Sequence, residues 1–131
     1  MRKAKSDREK VEIRPHRRLD VWKRSIDLAK KIYRICEQFP SNEQYGLASQ
    51  IRRAAISIAS NIAEGAARSG KKEFIQFINI AQGSASELDT QIELAMQLGY
   101  VENQTYEDII AELTVISKQM YGLAKTVKGK M

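Results

Sequence analysis

Arg53, Ser57, Asn61 and Glu64 recur one helical turn apart in the middle of a 131-residue chain. At about 100° per residue they share an arc of about 80° with Gln50. A guanidinium, a hydroxyl, an amide and a carboxylate on one stripe have the residue types of a catalytic constellation. A serine nucleophile needs a base beside it, however, and the one histidine of the chain is the distant His16. The stripe therefore reads as a structural polar network, with Asn61 and Glu64 reaching across a helix contact towards Ser84 and Glu87. A buried polar group without a partner costs roughly 1–3 kcal/mol, so such a network would fix helix register.

Other chemically suggestive strings are weaker. Gly65 and Gly70 precede Lys71 and Lys72 in a Gly-x-x-x-x-Gly-Lys string, but Lys72 stands where a phosphate loop needs Ser or Thr. A helical pattern also precedes it where that loop requires a strand, which argues against nucleotide hydrolysis. Backbone N–H groups beside two lysines still suit weak anion binding. Cys36 falls on an apolar face and reads as a small core residue. His16 reads as solvated, and Trp22 and Tyr33 as core aromatics rather than base-stacking platforms. One cysteine and one histidine exclude a His/Cys metal site within a single chain, and no metal or cofactor is expected.

Charge is more informative once it is located. The net charge of +6 is divided unevenly. Residues 14–72 carry thirteen basic and five acidic side chains, whereas residues 73–117 carry eight carboxylates and no Lys or Arg. Four lysines follow in residues 118–131. Arg17, Arg18, Lys23, Arg24, Lys30, Lys31 and Arg34 form a dense cationic set that suits phosphate contacts. The segregation equally suits docking of one copy's basic surface on another's acidic surface.

Helices must position these groups. With 43% hydrophobic residues, the chain can bury a core as one domain. Periodicity is helical nearly throughout and no hairpin signal interrupts it. The first helix is expected from about Asp20 to Gln38, burying Trp22, Ile26, Ala29, Tyr33 and Cys36, with Ile32, Ile35 and Phe39 widening that face. Pro40 then stops it. The second is expected to open at Ser41 or Asn42, with Gln44 completing a capping box, and to reach about Ala66. The third is expected over Lys71–Leu98 with Gly99 beyond its end, and the fourth from Asn103 to about Thr126. Short connections make this an all-α, antiparallel up-and-down four-helix bundle over residues 19–127. Residues 1–18 read as a mobile basic arm and 128–131 as a tail. Nothing is apolar enough to be a signal peptide or a membrane span, and the single cysteine fits a reducing, cytoplasmic setting.

The second helix has more apolar surface than a bundle needs. Leu47, Ile51, Ile58 and Ile62 form one sector, and Ala55, Ile56, Ala59, Ala63 and Ala66 with Arg52 form another. Together they cover about 200°, against the roughly 100° stripe of an ordinary bundle helix. The excess predicts a subunit contact through Arg52, Ile56, Ala59 and Ala63.

Several strings match a known family: Leu19-Asp20-Val21-Trp22, Phe39-Pro40, Tyr45-Gly46-Leu47, Gln50-Ile51-Arg52-Arg53-Ala54, Ser57-Ile58, Asn61-Ile62-Ala63-Glu64-Gly65 and Gly83-Ser84-Ala85-Ser86-Glu87-Leu88. Over residues 17–125 the chain resembles the small four-helix-bundle proteins encoded within intervening sequences of bacterial large-subunit ribosomal RNA genes. Ala59 stands where that family often has proline. The family is similar to the accessory variability protein of diversity-generating retroelements. The resemblance implies a homopentameric ring and a basic surface that binds nucleic acid, RNA before DNA, with a reverse transcriptase as a candidate partner. It brings no enzymatic activity with it. The alternative expectation is a scaffolding oligomer that binds a protein partner.

Overall fold

A computed structural model of the protein describes residues 14–129. Among them are four helices and no strand: α1 (Asp20–Cys36), α2 (Leu47–Ala66), α3 (Lys71–Gln97) and α4 (Asn103–Gly129). At 1.5 Å per residue these span about 26 to 40 Å, so the molecule is a rod. Consecutive helices adjoin, and α1 closes the bundle against α4. Side-chain bonds show that each neighbouring pair runs antiparallel. The Cys36 thiol reaches the Ala48 carbonyl and Arg52 lies over Tyr33. Ser57 meets Ser84, Gln82 donates to the Ser117 carbonyl, and Tyr106 donates to Glu93. Asp20 accepts from Gln119, and Lys31 pairs with Glu112.

α1 is turned by about one residue, or about 100°, from the expected face. Its buried residues are Val21, Ser25, Leu28, Ile32 and Cys36, whereas Ile26 and Tyr33 are exposed. Ser25 hides the true stripe in the sequence, because a hydroxyl interrupts the apolar pattern. In the fold it donates to the Val21 carbonyl one turn back at 2.7 Å, so its burial is satisfied.

The start of α2 also differs. Ser41–Glu43 form a separate 3-10 turn, and the helix begins after Gly46. The expected capping box is absent. Gln44 instead donates to the carbonyls of Cys36 and Phe39, satisfying the end of α1. The first turn of α2 is capped by Glu43, whose Oε1 accepts from the Leu47 N–H at 3.3 Å. The end of α3 follows expectation. Gly99 has φ +81°, Tyr100 N–H bonds the Ala95 carbonyl, and Gly99 N–H bonds that of Met96. This pair of bonds is a Schellman ending, in which glycine adopts the left-handed conformation without steric cost.

Of the arm expected over residues 1–18, residues 1–13 lie outside the described residues. Pro15–Arg18 form a 3-10 turn packed on both α1 and α2. At the other terminus, Lys128 and Gly129 continue α4, and residues 130–131 lie outside the described residues.

Candidate nucleic-acid interface

The seven basic residues separate into three groups. Lys23, Lys30 and Arg34 are spaced seven and four residues apart and share the outer face of α1. All three are exposed, and none forms a salt bridge among the described residues. Arg24 and Lys31 turn towards α4. Arg24 pairs with Asp20 at 3.0 Å, and Lys31 pairs with Glu112. Hydrogen bonds from Gln119 and Arg24 hold the Asp20 carboxyl below its ordinary range, and Glu112 raises the Lys31 ammonium above its own. These two cations are partly neutralised before any phosphate arrives.

Arg17 and Arg18 belong to the N-terminal turn. Arg18 is exposed, whereas the Arg17 guanidinium lies 5.2 Å over the Trp22 ring. His16 meets the same ring edge-on at 4.8 Å. His16 is thus half-buried rather than solvated. Desolvation, with the charges of Arg17 and Arg14, lowers its pKa. Trp22 consequently sits beneath a basic turn instead of in the central core. The uncharged Pro15-His16 pair and the apolar Leu19, Val21 and Trp22 were the signals for an ordered turn.

The polar stripe of α2 is divided as well. Ser57 and Ser84 share a 2.8 Å hydrogen bond across the α2–α3 contact. Asn61 donates to both the carbonyl and the hydroxyl of Ser57, at 2.8 and 3.0 Å. These three residues form the structural network. Glu64 lies outside it and pairs with Arg68 at 2.9 Å, while Arg53 and Glu87 are exposed. The Ser57 hydroxyl bonds to Ser84 and Asn61, and no base among the described residues is hydrogen-bonded to it.

The second apolar sector of α2 is largely covered by its own chain. Ala55 and Ala59 are buried and Ala63 is half-buried. Continuing the antiparallel register from Tyr33 and Arg52 sets Trp22 level with Ala63, beside the Pro15–Arg18 turn. Arg52 is occupied too: it donates to the Gln44 carbonyl at 2.9 Å and covers Tyr33 at 5.9 Å. Of the four residues expected at a subunit contact, Ile56 alone remains a large exposed apolar group.

Residues 17–122 match the family model described as 23S rRNA-intervening sequence protein. The chain belongs to that family. A solved relative of this intervening-sequence protein is a protein of unknown function from the S23 ribosomal protein family of Bacteroides thetaiotaomicron. It is 27% identical, with a TM-score of 0.75, over 80% of this chain and 95% of the relative. No curated protein matches the chain. In the intervening-sequence protein, the signature Asn61-Ile62-Ala63-Glu64-Gly65 supplies packing. Asn61 closes the serine network, Ile62 is buried, and Gly65 lets α2 approach α3. Among the described residues, no helix is long and apolar enough to cross a membrane.

Proposed function

We propose that this protein is a non-enzymatic, oligomeric nucleic-acid-binding protein of the cytoplasm, with RNA as its preferred ligand. The observation that carries the reading is the outward row of Lys23, Lys30 and Arg34, which no carboxylate among the described residues neutralises by a salt bridge. Arg18 extends the row, and Arg17, Arg24 and Lys31 reinforce it from positions already engaged within the protomer. The family description, which refers to 23S rRNA intervening sequences, supports RNA. The resemblance to the accessory variability protein supports a pentameric ring and a reverse transcriptase as protein partner. Five copies would multiply the net charge of +6 around one ring, so phosphate attraction would be multivalent.

Fluorescence anisotropy with a structured RNA and a duplex DNA, at about 50 and 200 mM salt, tests the reading. A protein making 6–10 phosphate contacts loses about 10³–10⁵ in affinity over that range. Changing Lys23, Lys30 and Arg34 together to Glu should weaken binding similarly for all sequences and flatten the salt slope by about 2 to 3 units. Absence of binding at low salt would overturn the proposal. The alternative, a scaffold for a protein partner, draws on the exposed apolar residues of α1 and α2.

A further inference from the structure

A groove of about 950 Å³ runs between α3 and α4, on the half of the rod where α3 starts and α4 ends. Its floor is apolar, with Ile78, Ala85 and Leu113 buried beneath it. Small side chains at Ala85 and Ala124 leave room between the two helices, which Gln82 ties together through the Ser117 carbonyl at 3.0 Å. Ligand sites commonly have this size and an apolar lining of this kind.

The α4 rim carries Lys118, Tyr121, Lys125 and Lys128 at intervals of three, four and three residues, so all four share one face. All are exposed, and the three lysines form no salt bridge among the described residues. Residues 118–129 hold no carboxylate. Asp89 lines the opposite end of the groove, about 12 Å along the axis from the level of Lys118. Tyr121 is 74% exposed, and among the described residues no other ring and no cation faces it. Tyr33 beside the α1 row differs, since the Arg52 guanidinium already covers it at 5.9 Å. The antiparallel register from Gln82 and Ser117 sets Tyr121 level with Ile78. Next to Ile78, the exposed amide of Asn79 can both donate and accept.

A free ring among cations, beside an apolar groove, offers what an unpaired base and its phosphates need. Bases stack on aromatic faces with little regard to sequence, while cations track the backbone. A duplex keeps its base faces within its own stack, so Tyr121 gains nothing from one. We propose that the α3–α4 groove binds single-stranded nucleic acid, with a base stacked on Tyr121 and phosphates held by Lys118, Lys125 and Lys128. The proposal rests on the nucleic-acid part of the reading above. It adds the form of the ligand and a surface separate from the α1 row.

The experiment is fluorescence anisotropy of the full chain at about 50 mM salt, with a short unstructured oligonucleotide and with the duplex of the same length. Tyr121→Ala should lower single-strand affinity about 5- to 150-fold, the loss of one stacked base, and leave duplex affinity as in the wild type. Tyr121→Phe, which keeps the ring, should keep both affinities. Lys125→Gln with Lys128→Gln should weaken single-strand binding and flatten its salt slope by about 1.4 units. The substituted side chains are exposed, and far-UV circular dichroism checks that each variant is helical. If Tyr121→Ala fails to fold, the lysine pair carries the test, by losing single-strand rather than duplex affinity. Wild-type single-strand affinity in Tyr121→Ala overturns the proposal. If changing Lys23, Lys30 and Arg34 to Glu then removes that binding, the reading above still stands. Equal losses for single strand and duplex in Tyr121→Ala overturn the stacking. A changed mass for that variant in light scattering makes the groove a contact between copies and overturns it as a ligand site. A wild type that binds neither form overturns the reading above as well.

Discussion

At Gly65 the second and third helices approach so closely that a Cβ would lie 2.7 Å from the Phe77 Cβ and 3.0 Å from Phe74 Cδ1. Gly65→Ala should cost about 1–3 kcal/mol in urea denaturation, the usual penalty of overpacking. Gly122→Ala in α4, where nothing lies within 4 Å, should instead gain about 0.5–1 kcal/mol from helix propensity. The fold lowers the pKa of His16, so the folded state binds fewer protons there than the unfolded chain. Stability from His16 is then fully present above the unfolded value near 6.5 and falls as the pH drops towards the lowered folded value. Trp22, the one tryptophan, should report this as an acid-induced change in fluorescence that His16→Gln abolishes. The Cys36 thiol, pushed up to about 11 by burial, should react with Ellman's reagent at pH 8 only after denaturation. Residue types on a helical stripe pointed to Asn61 and Glu64 as the groups that cross to Ser84 and Glu87, whereas Ser57 makes the crossing to Ser84 and Asn61 folds back on Ser57. They could not tell that Glu64 would turn to Arg68, because residues four apart on a helix offer each other a partner at no cost in tertiary structure.

At the scale of elements, α3 was legible nearly to the residue and α4 at its start, though α4 runs on to Gly129, past the end expected near Thr126. Long runs with consistent periodicity leave one helical face to choose, and Gly99 supplies an unambiguous end. Gly99→Ala should lower stability by about 1–2 kcal/mol, since a side chain would be forced into the left-handed region; thermal denaturation measures this. α1 was harder because two apolar stripes lie side by side on it. The aromatic stripe was the larger, and the buried one was interrupted by Ser25. The α1–α2 connection was misread for a related reason. Ser41 and Gln44 have the types of a capping box, yet Gln44 satisfies the preceding helix rather than the following one. The excess apolar arc of α2 was read as a subunit contact, yet Ala55 and Ala59 are already buried within the protomer. Periodicity could not reveal that a short turn of the same chain, Pro15–Arg18, packs on this helix.

The whole molecule is organised by charge as much as by apolar pattern. Its cations lie mainly in the first half of the chain and its carboxylates mainly in the second, and the bundle joins the halves through Lys31–Glu112 and Asp20–Gln119. Exposed pairs of this kind contribute little to stability, so high salt should leave the melting temperature nearly unchanged while it abolishes the proposed nucleic-acid binding. Parallel melts and anisotropy titrations at about 50 and 500 mM salt check this separation. Loss of the melt and of binding together would instead make salt-sensitive folding the cause. The same segregation has a consequence in time. Chain order is also the order of synthesis, and the cationic stretch, including Lys23, Lys30, Lys31 and Arg34, is made before the carboxylate-rich stretch. A half-made chain is therefore a polycation, and Lys31 finds its partner only once Glu112 has been made.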